Sequence, residues 1–134
     1  MLTEFQFHHI GFAVQSIELT SQYYLNSGYI MTPKIFDSVQ QVFICFLKKN
    51  GNPTIELIEP IAESSPVTEI LKKNGVAPYH ICYEVNNINE AIIKLQTQNF
   101  ILVGNPVNAV ALENRKICFL YNKDIGLVEL VNSN

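Results

Sequence analysis

Slid against itself by 71 residues, the chain meets its own pattern, and a duplicated unit constrains the fold more than any single motif does. His9 falls on His80, Ile10 on Ile81, Phe12 on Tyr83, Val14 on Val85 and Ile17 on Ile88. Ser16 falls on Asn87, and both are good helix N-caps. Gly28 falls on Asn99, the two residue types that best tolerate the left-handed conformation closing a helix. A shared strand-helix pattern accounts for the apolar matches. It does not account for the two histidines.

Each copy reads alike. Phe7 to Val14 and Tyr79 to Val85 alternate as half-buried strands do. A capped helix follows in each. In the second copy Asn87-Ile88-Asn89-Glu90 resembles a capping box, and Ile88, Ile92 and Leu95 line one helical face. In the first copy Ile17, Thr20 and Tyr24 do this less cleanly. The runs GYIMTPKIF, QVFICFLKK and TIELIEP, with the turn NGNP, then read as strands; FILVGNP, RKICFLY and LVELV, with the turn NKDIG, repeat them. The order is β-α-β-β-β, twice. We therefore expect one α+β domain over 1–134, with a first module at 5–60 and a second at 78–132. The connector at 61–77 holds a short helix over Pro66–Lys73.

The last strands also correspond, IEL at 55–57 and VEL at 128–130, now with a shift of 73. Each copy thus offers a histidine on its first strand and a glutamate on its last: His9 with Glu56, and His80 with Glu129. Strand alternation puts Ile10, Phe12 and Val14 on the helix side and His9, Gly11 and Ala13 on the other, where small residues leave open space. Ile55, Leu57, Val128 and Leu130 take the helix side, so Glu56 and Glu129 project with the histidines. A carboxylate within such apolar strands is costly if buried without a partner, and a divalent cation removes that cost. Two imidazoles and two carboxylates form a donor set suited to Zn²⁺, Co²⁺, Ni²⁺ or Mn²⁺, with positions left for water or a substrate carbonyl. The competing reading is of core histidines bonded to backbone and half-exposed edge glutamates. Matched placement of all four favours the metal.

Other residues are read more plainly. His8 points to the helix side and is structural. Glu84 shares a face with His80 and Cys82 and is a candidate to support a ligand or relay a proton. Glu59, Glu63, Glu69, Glu90 and Glu113 are expected in solvent. Cys45, Cys82 and Cys118, odd in number and set in apolar runs, are expected to be buried free thiols. A net charge of −3 with a single arginine excludes a nucleic-acid surface. The pairs Lys48–Lys49, Lys72–Lys73 and Arg115–Lys116 leave room for a small anion. The long uncharged stretches carry Gln, Asn and Ser, so no membrane partner is expected. MLTEFQF lacks the features of a signal peptide, which points to the cytoplasm.

Paired β-α-β-β-β modules with His and Glu at these places resemble the vicinal oxygen chelate superfamily of glyoxalase I, methylmalonyl-CoA epimerase, extradiol dioxygenases and antibiotic-resistance binders. The stretches IELIEPIAESSPVTEILKKNG and YHICYEVNNINEAIIKL are most similar to the methylmalonyl-CoA epimerase branch. The resemblance implies a curved mixed β-sheet cup with helices outside, and His9, Glu56, His80 and Glu129 as ligands of a divalent metal ion. Epimerases carry Gln or Glu where Glu56 stands. The resemblance also implies a homodimer acting on a small molecule, an acyl-CoA thioester or a thiol adduct. There are departures. Tyr79 replaces the first of two histidines, Tyr121-Asn122-Lys123-Asp124 stands in place of HPKD, and VQQVFICF lacks the carboxylate that some epimerases place on that strand. The chemistry expected is proton abstraction next to a carbonyl, with Glu129 as base. Epimerisation is the first reading. A glyoxalase I-type lyase acting on a hemithioacetal is the alternative, and a non-catalytic binder the third, though resistance-type binders usually lack the ligands that this chain keeps.

Overall fold

The computed structural model describes residues 2–134; the first residue of the expected 1–134 domain lies outside the described residues. In chain order the elements are β1 (Gln6–Ala13), α1 (Ile17–Leu25), β2 (Ile30–Met31), β3 (Ile35–Asp37), β4 (Val42–Lys48), β5 (Ile55–Pro60), α2 (Pro66–Asn74), β6 (Ala77–Val85), α3 (Ile88–Gln96), β7 (Ile101–Ala109), a 3₁₀ turn (Val110–Leu112), β8 (Arg115–Asn122) and β9 (Gly126–Asn132). The α+β class and the repeated β-α-β-β-β order read from the sequence are what the chain adopts, and α2 is the expected connecting helix. No helix among the described residues is long and apolar enough to cross a membrane.

The chain divides into two compact units, His9–Tyr79 and His80–Asn134 together with the residues before His9. In the first, β1 runs parallel to β5, with Gly11 opposite Glu56, and β4 lies antiparallel on the other edge of β5. Both β2 and β3 pair with β4. In the second, β6 runs parallel to β9, with Cys82 opposite Glu129, and β8 and β7 follow antiparallel. The glutamate-bearing β5 and β9 are therefore interior strands within their units. Each unit packs its helix on one face. Val14, Ile17, Cys45, Leu47 and Leu57 form the core under α1; Ile88, Ile92, Leu95, Leu120 and Leu130 lead the one under α3. On α1 the second buried residue is Ser21 rather than the expected Thr20, which is only half-buried.

Both helices start and stop by the same devices. Ser16 Oγ accepts from the Leu19 amide at 3.1 Å, and Asn87 Oδ1 from the Glu90 amide at 3.1 Å. At the far ends the Tyr29 amide donates to the Tyr24 carbonyl at 3.1 Å and the Phe100 amide to the Leu95 carbonyl at 3.2 Å. Those closures wrap the left-handed Gly28 and Asn99, at φ +91° and +67°. Glu59 departs from its expected solvated place. Its Oε1 accepts from the Ile17 amide at 2.7 Å, as Asn132 Oδ1 accepts from the Ile88 amide at 2.8 Å. Glu63, Glu69, Glu90 and Glu113 are exposed as expected.

The units differ where each carries a proline after its helix. Proline has no N–H for the ladder. At Pro33 the strand breaks into β2 and β3, and Thr32 bridges the gap: its amide donates to the Phe46 carbonyl at 2.9 Å and its Oγ1 accepts from the Phe46 amide at 2.8 Å. At Pro106 the strand continues, but its register with β8 shifts between Val103 and Val107.

Candidate metal centre

His9 and Glu56 meet because β1 and β5 are parallel neighbours and both residues project away from α1. His9 Nε2 lies 3.1 Å from Glu56 Oε1. In the other unit His80 Nε2 lies 3.1 Å from Glu129 Oε1, built the same way from β6 and β9. The two pairs, one in each unit, have the same atoms at the same distance. All four residues are buried: His9 is 0% exposed, Glu56 4%, His80 4% and Glu129 3%. The glutamates are thus not half-exposed on edge strands, and the competing reading loses that support.

The face itself differs from expectation. It was expected to be open, but along β1 it is the more buried side: His9, Gly11 and Ala13 are buried, whereas His8, Ile10 and Phe12 are half-buried. Small side chains there permit close covering. Within each pair one nitrogen and one carboxylate oxygen lie side by side, away from bulk water. This donor chemistry fits a divalent ion of intermediate hardness, since neutral imidazole and ionised carboxylate are the ligating forms.

The neighbours of the pairs sort into two kinds. Cys45 and Cys118 lie on the helix side, opposite Leu57 and Leu130, and are buried free thiols as expected, as is Cys82. Burial, and then the charge of Glu56, pushes the Cys45 thiol up to about 11. Burial, and then Glu129, pushes Cys118 up to about 12. Neither is a thiolate at neutral pH, so neither is a soft ligand. On the histidine side stand Phe46, opposite Glu56, and Phe119, opposite Glu129. Their rings meet His9 and His80 edge-on, at centroid separations of 5.3 and 5.5 Å and interplanar angles of 71° and 86°. Sequence reasoning missed both. The available signal was Ile-Cys-Phe-Leu, present at 44–47 and again at 117–120.

Glu84 turns out to be an ion-pair partner. Its Oε2 accepts from Arg115 Nη1 at 2.6 Å, and Arg115 Nη2 lies 3.2 Å from His8 Nε2. A carboxylate so engaged with a guanidinium is poorly placed to relay a proton. His8 was expected to pack on the helix side, and it also joins this polar cluster. Each basic pair also has a committed member: Arg115 here, Lys49 donating to the Ser27 carbonyl at 2.8 Å, and Lys72 paired with Glu63 at 2.7 Å.

Comparison with known proteins agrees with this architecture. The family model of the Glyoxalase/Bleomycin resistance protein/Dioxygenase superfamily matches residues 8–119. The chain is 31% identical over 130 residues to the mitochondrial methylmalonyl-CoA epimerase of Homo sapiens, covering 92% of this chain and 71% of that one. It is 30% identical over 127 residues to the ethylmalonyl-CoA/methylmalonyl-CoA epimerase of Cereibacter sphaeroides, covering 92% and 94%. Among solved structures, the methylmalonyl-CoA epimerase of Mycobacterium tuberculosis superposes with a TM-score of 0.86 at 25% identity, covering 100% of this chain and 93% of that one.

Proposed function

The chain belongs to the glyoxalase/bleomycin resistance protein/dioxygenase superfamily, and from that premise we propose that it is a divalent-metal-dependent enzyme that removes a proton next to a carbonyl, as a methylmalonyl-CoA epimerase does. The observation that carries the reading is the buried His–Glu pair, repeated with the same 3.1 Å contact at equivalent places in both units. His9, Glu56, His80 and Glu129 are the proposed metal ligands, for Co²⁺, Ni²⁺, Zn²⁺ or Mn²⁺. When bound, the ion supplies Lewis-acid stabilisation of the negative charge that develops on the substrate's carbonyl oxygen.

The residues divide the remaining work. His9 and His80 present Nε2 as neutral donors, and Glu56 supplies balancing charge. Glu129 takes the α-proton: the C–H bond breaks, its electron pair moves toward the carbonyl, and the proton rests on the carboxylate. Phe119 stands directly across the ladder from that carboxylate. The substrate class is a small acyl-CoA thioester, in keeping with the names of the relatives. The three buried free thiols suit a reducing compartment, and we place the protein in the cytoplasm, as a homodimer.

A second reading has one observation behind it. Inversion requires a proton delivered to the opposite face, and β4 (VFICFLK) has no carboxylate to deliver it. A glyoxalase I-type lyase needs no such group, since one base returns the proton to the adjacent carbon. Solvent deuterium should enter methylmalonyl-CoA when the protein is loaded with Co²⁺. No exchange, together with turnover of methylglyoxal–thiol adducts, would reject the epimerase and leave the lyase.

A further inference from the structure

Ile-Cys-Phe-Leu at 44–47 and 117–120 is the longest identical run that the two units share at equivalent positions. Packing explains three of its residues. Cys45 and Leu47 belong to one helix-side core, Cys118 and Leu120 to the other, and Ile44 and Ile117 are buried at 3% and 2% exposure. The phenylalanine needs a separate account. Phe46 and Phe119 lie on the histidine side, where a branched aliphatic residue would fill comparable space. Both instead carry a ring, and both rings meet a histidine edge-on.

The geometry points to Phe46 and Phe119 as positioning residues for the metal-ligating histidines, an inference that rests on the function proposed above. Each phenylalanine stands directly opposite the ligand glutamate of its own unit. Such cross-strand partners have Cβ atoms about 4.5–5.5 Å apart, so the ring walls the His–Glu pair on one side. The last torsion of a histidine is broad and roughly two-fold, so nothing intrinsic holds Nε2 toward its carboxylate. An edge-to-face neighbour restricts that rotation and favours one ring plane. With the plane set in advance, the ion does not have to order the imidazole as it binds, and the affinity rises accordingly. Leucine in place of phenylalanine keeps the apolar cover but removes the ring-to-ring contact.

The test compares Co²⁺ binding by metal-free wild-type protein, Phe46→Leu and Phe119→Leu. Binding is followed by calorimetry and by the visible absorption of the bound ion, beside thermal unfolding of each metal-free protein. Each leucine variant should bind Co²⁺ between about twofold and tenfold more weakly, the size of one aromatic contact. Its Co²⁺ spectrum should shift. Phe46→Tyr and Phe119→Tyr, which keep the ring, should restore both. A residue that merely filled space would lower the unfolding temperature of the metal-free protein and leave affinity and spectrum alone, and that result would overturn the inference. If a leucine variant fails to fold, the Phe→Met variant at that position takes its place with the same expectations. Wild-type protein that takes up no ion would overturn both this inference and the proposed function; wild-type uptake with unchanged leucine variants would overturn the inference alone.

Discussion

Glu56 and Glu129 look interchangeable by burial and by partner, yet their proposed duties differ. In that proposal Glu56 only ligates. Glu129 both ligates and takes the proton. Glu56→Gln should therefore keep solvent exchange within about tenfold of wild type, whereas Glu129→Gln should lose roughly 10²–10⁴-fold, the usual worth of a positioned general base. Equal losses in deuterium-exchange rate would remove the distinction. The cysteines give a prediction in pH. A thiol at about 9 in the unfolded chain stands at about 11 for Cys45 and about 12 for Cys118 when folded. Between those values the unfolded state has released a proton that the folded state still holds, so stability falls as pH rises. The fall should begin near pH 9 and run to about 11 and 12, with none of it below pH 9. Urea unfolding at pH 8 and pH 10.5 should show a smaller loss in Cys118→Ala than in wild type. The histidines and glutamates were legible from the internal repeat together with strand alternation. Phe46, Phe119 and Glu59 were not, because their roles depend on which residue of a neighbouring strand lies opposite, and register is set by pairing across the sheet.

At the scale of elements, the two helices show how much local chemistry determines. The N-caps at Ser16 and Asn87 and the left-handed ends at Gly28 and Asn99 form where the residue types place them, since each depends on a few adjacent residues. Asn87→Ala should destabilise by about 1 kcal/mol in chemical denaturation, the normal worth of a cap. The second tie at each helix start is less local. Glu59 reaches the Ile17 amide from β5 and Asn132 reaches the Ile88 amide from β9, 42 and 44 residues away in the chain. Glu59→Ala leaves a part-buried amide without its charged acceptor and should cost about 1.5–3 kcal/mol in the same assay. A value near zero would mean that water replaces the carboxylate without loss. The strands after the helices carry a different lesson. Pro33 lies in the gap between β2 and β3 and Pro106 lies within β7; among the described residues these strands are at the ends of the pairing order, where proline is tolerated and discourages pairing with another chain. One breaks its strand and the other shifts a register, a difference that composition did not foretell.

For the whole molecule, binding of an ion to the folded state alone should raise stability by about 2.7 kcal/mol when free ion stands at a hundred times its dissociation constant. Calorimetry with added Co²⁺, Ni²⁺ or Zn²⁺ should show the unfolding temperature rising with concentration, and a chelator should reverse it. A metal-free protein indifferent to all three would falsify the metal assignment. The sequence by itself determined the duplication, the α+β class and the four polar residues projecting from apolar strands. These follow from periodicity and residue type, which act over a few neighbours. Tertiary structure decided that the face bearing them is covered rather than open, and that Glu84 belongs to Arg115. One pentapeptide makes the division plain. Leu-Lys-Lys-Asn-Gly occurs at 47–51 and at 71–75. Both glycines are left-handed, at φ +77° and +66°, because a positive φ after the asparagine is a matter of local sterics that only glycine meets freely. Yet Leu47-Lys48 ends strand β4 while Leu71 to Asn74 ends helix α2. Leu47 is held in a strand by its partner Ile55 and by complete burial in the core. Leu71 continues a helix already started by Ser65 and Pro66. The five residues are the same, and the hydrogen-bond partners that each copy finds outside them choose its form.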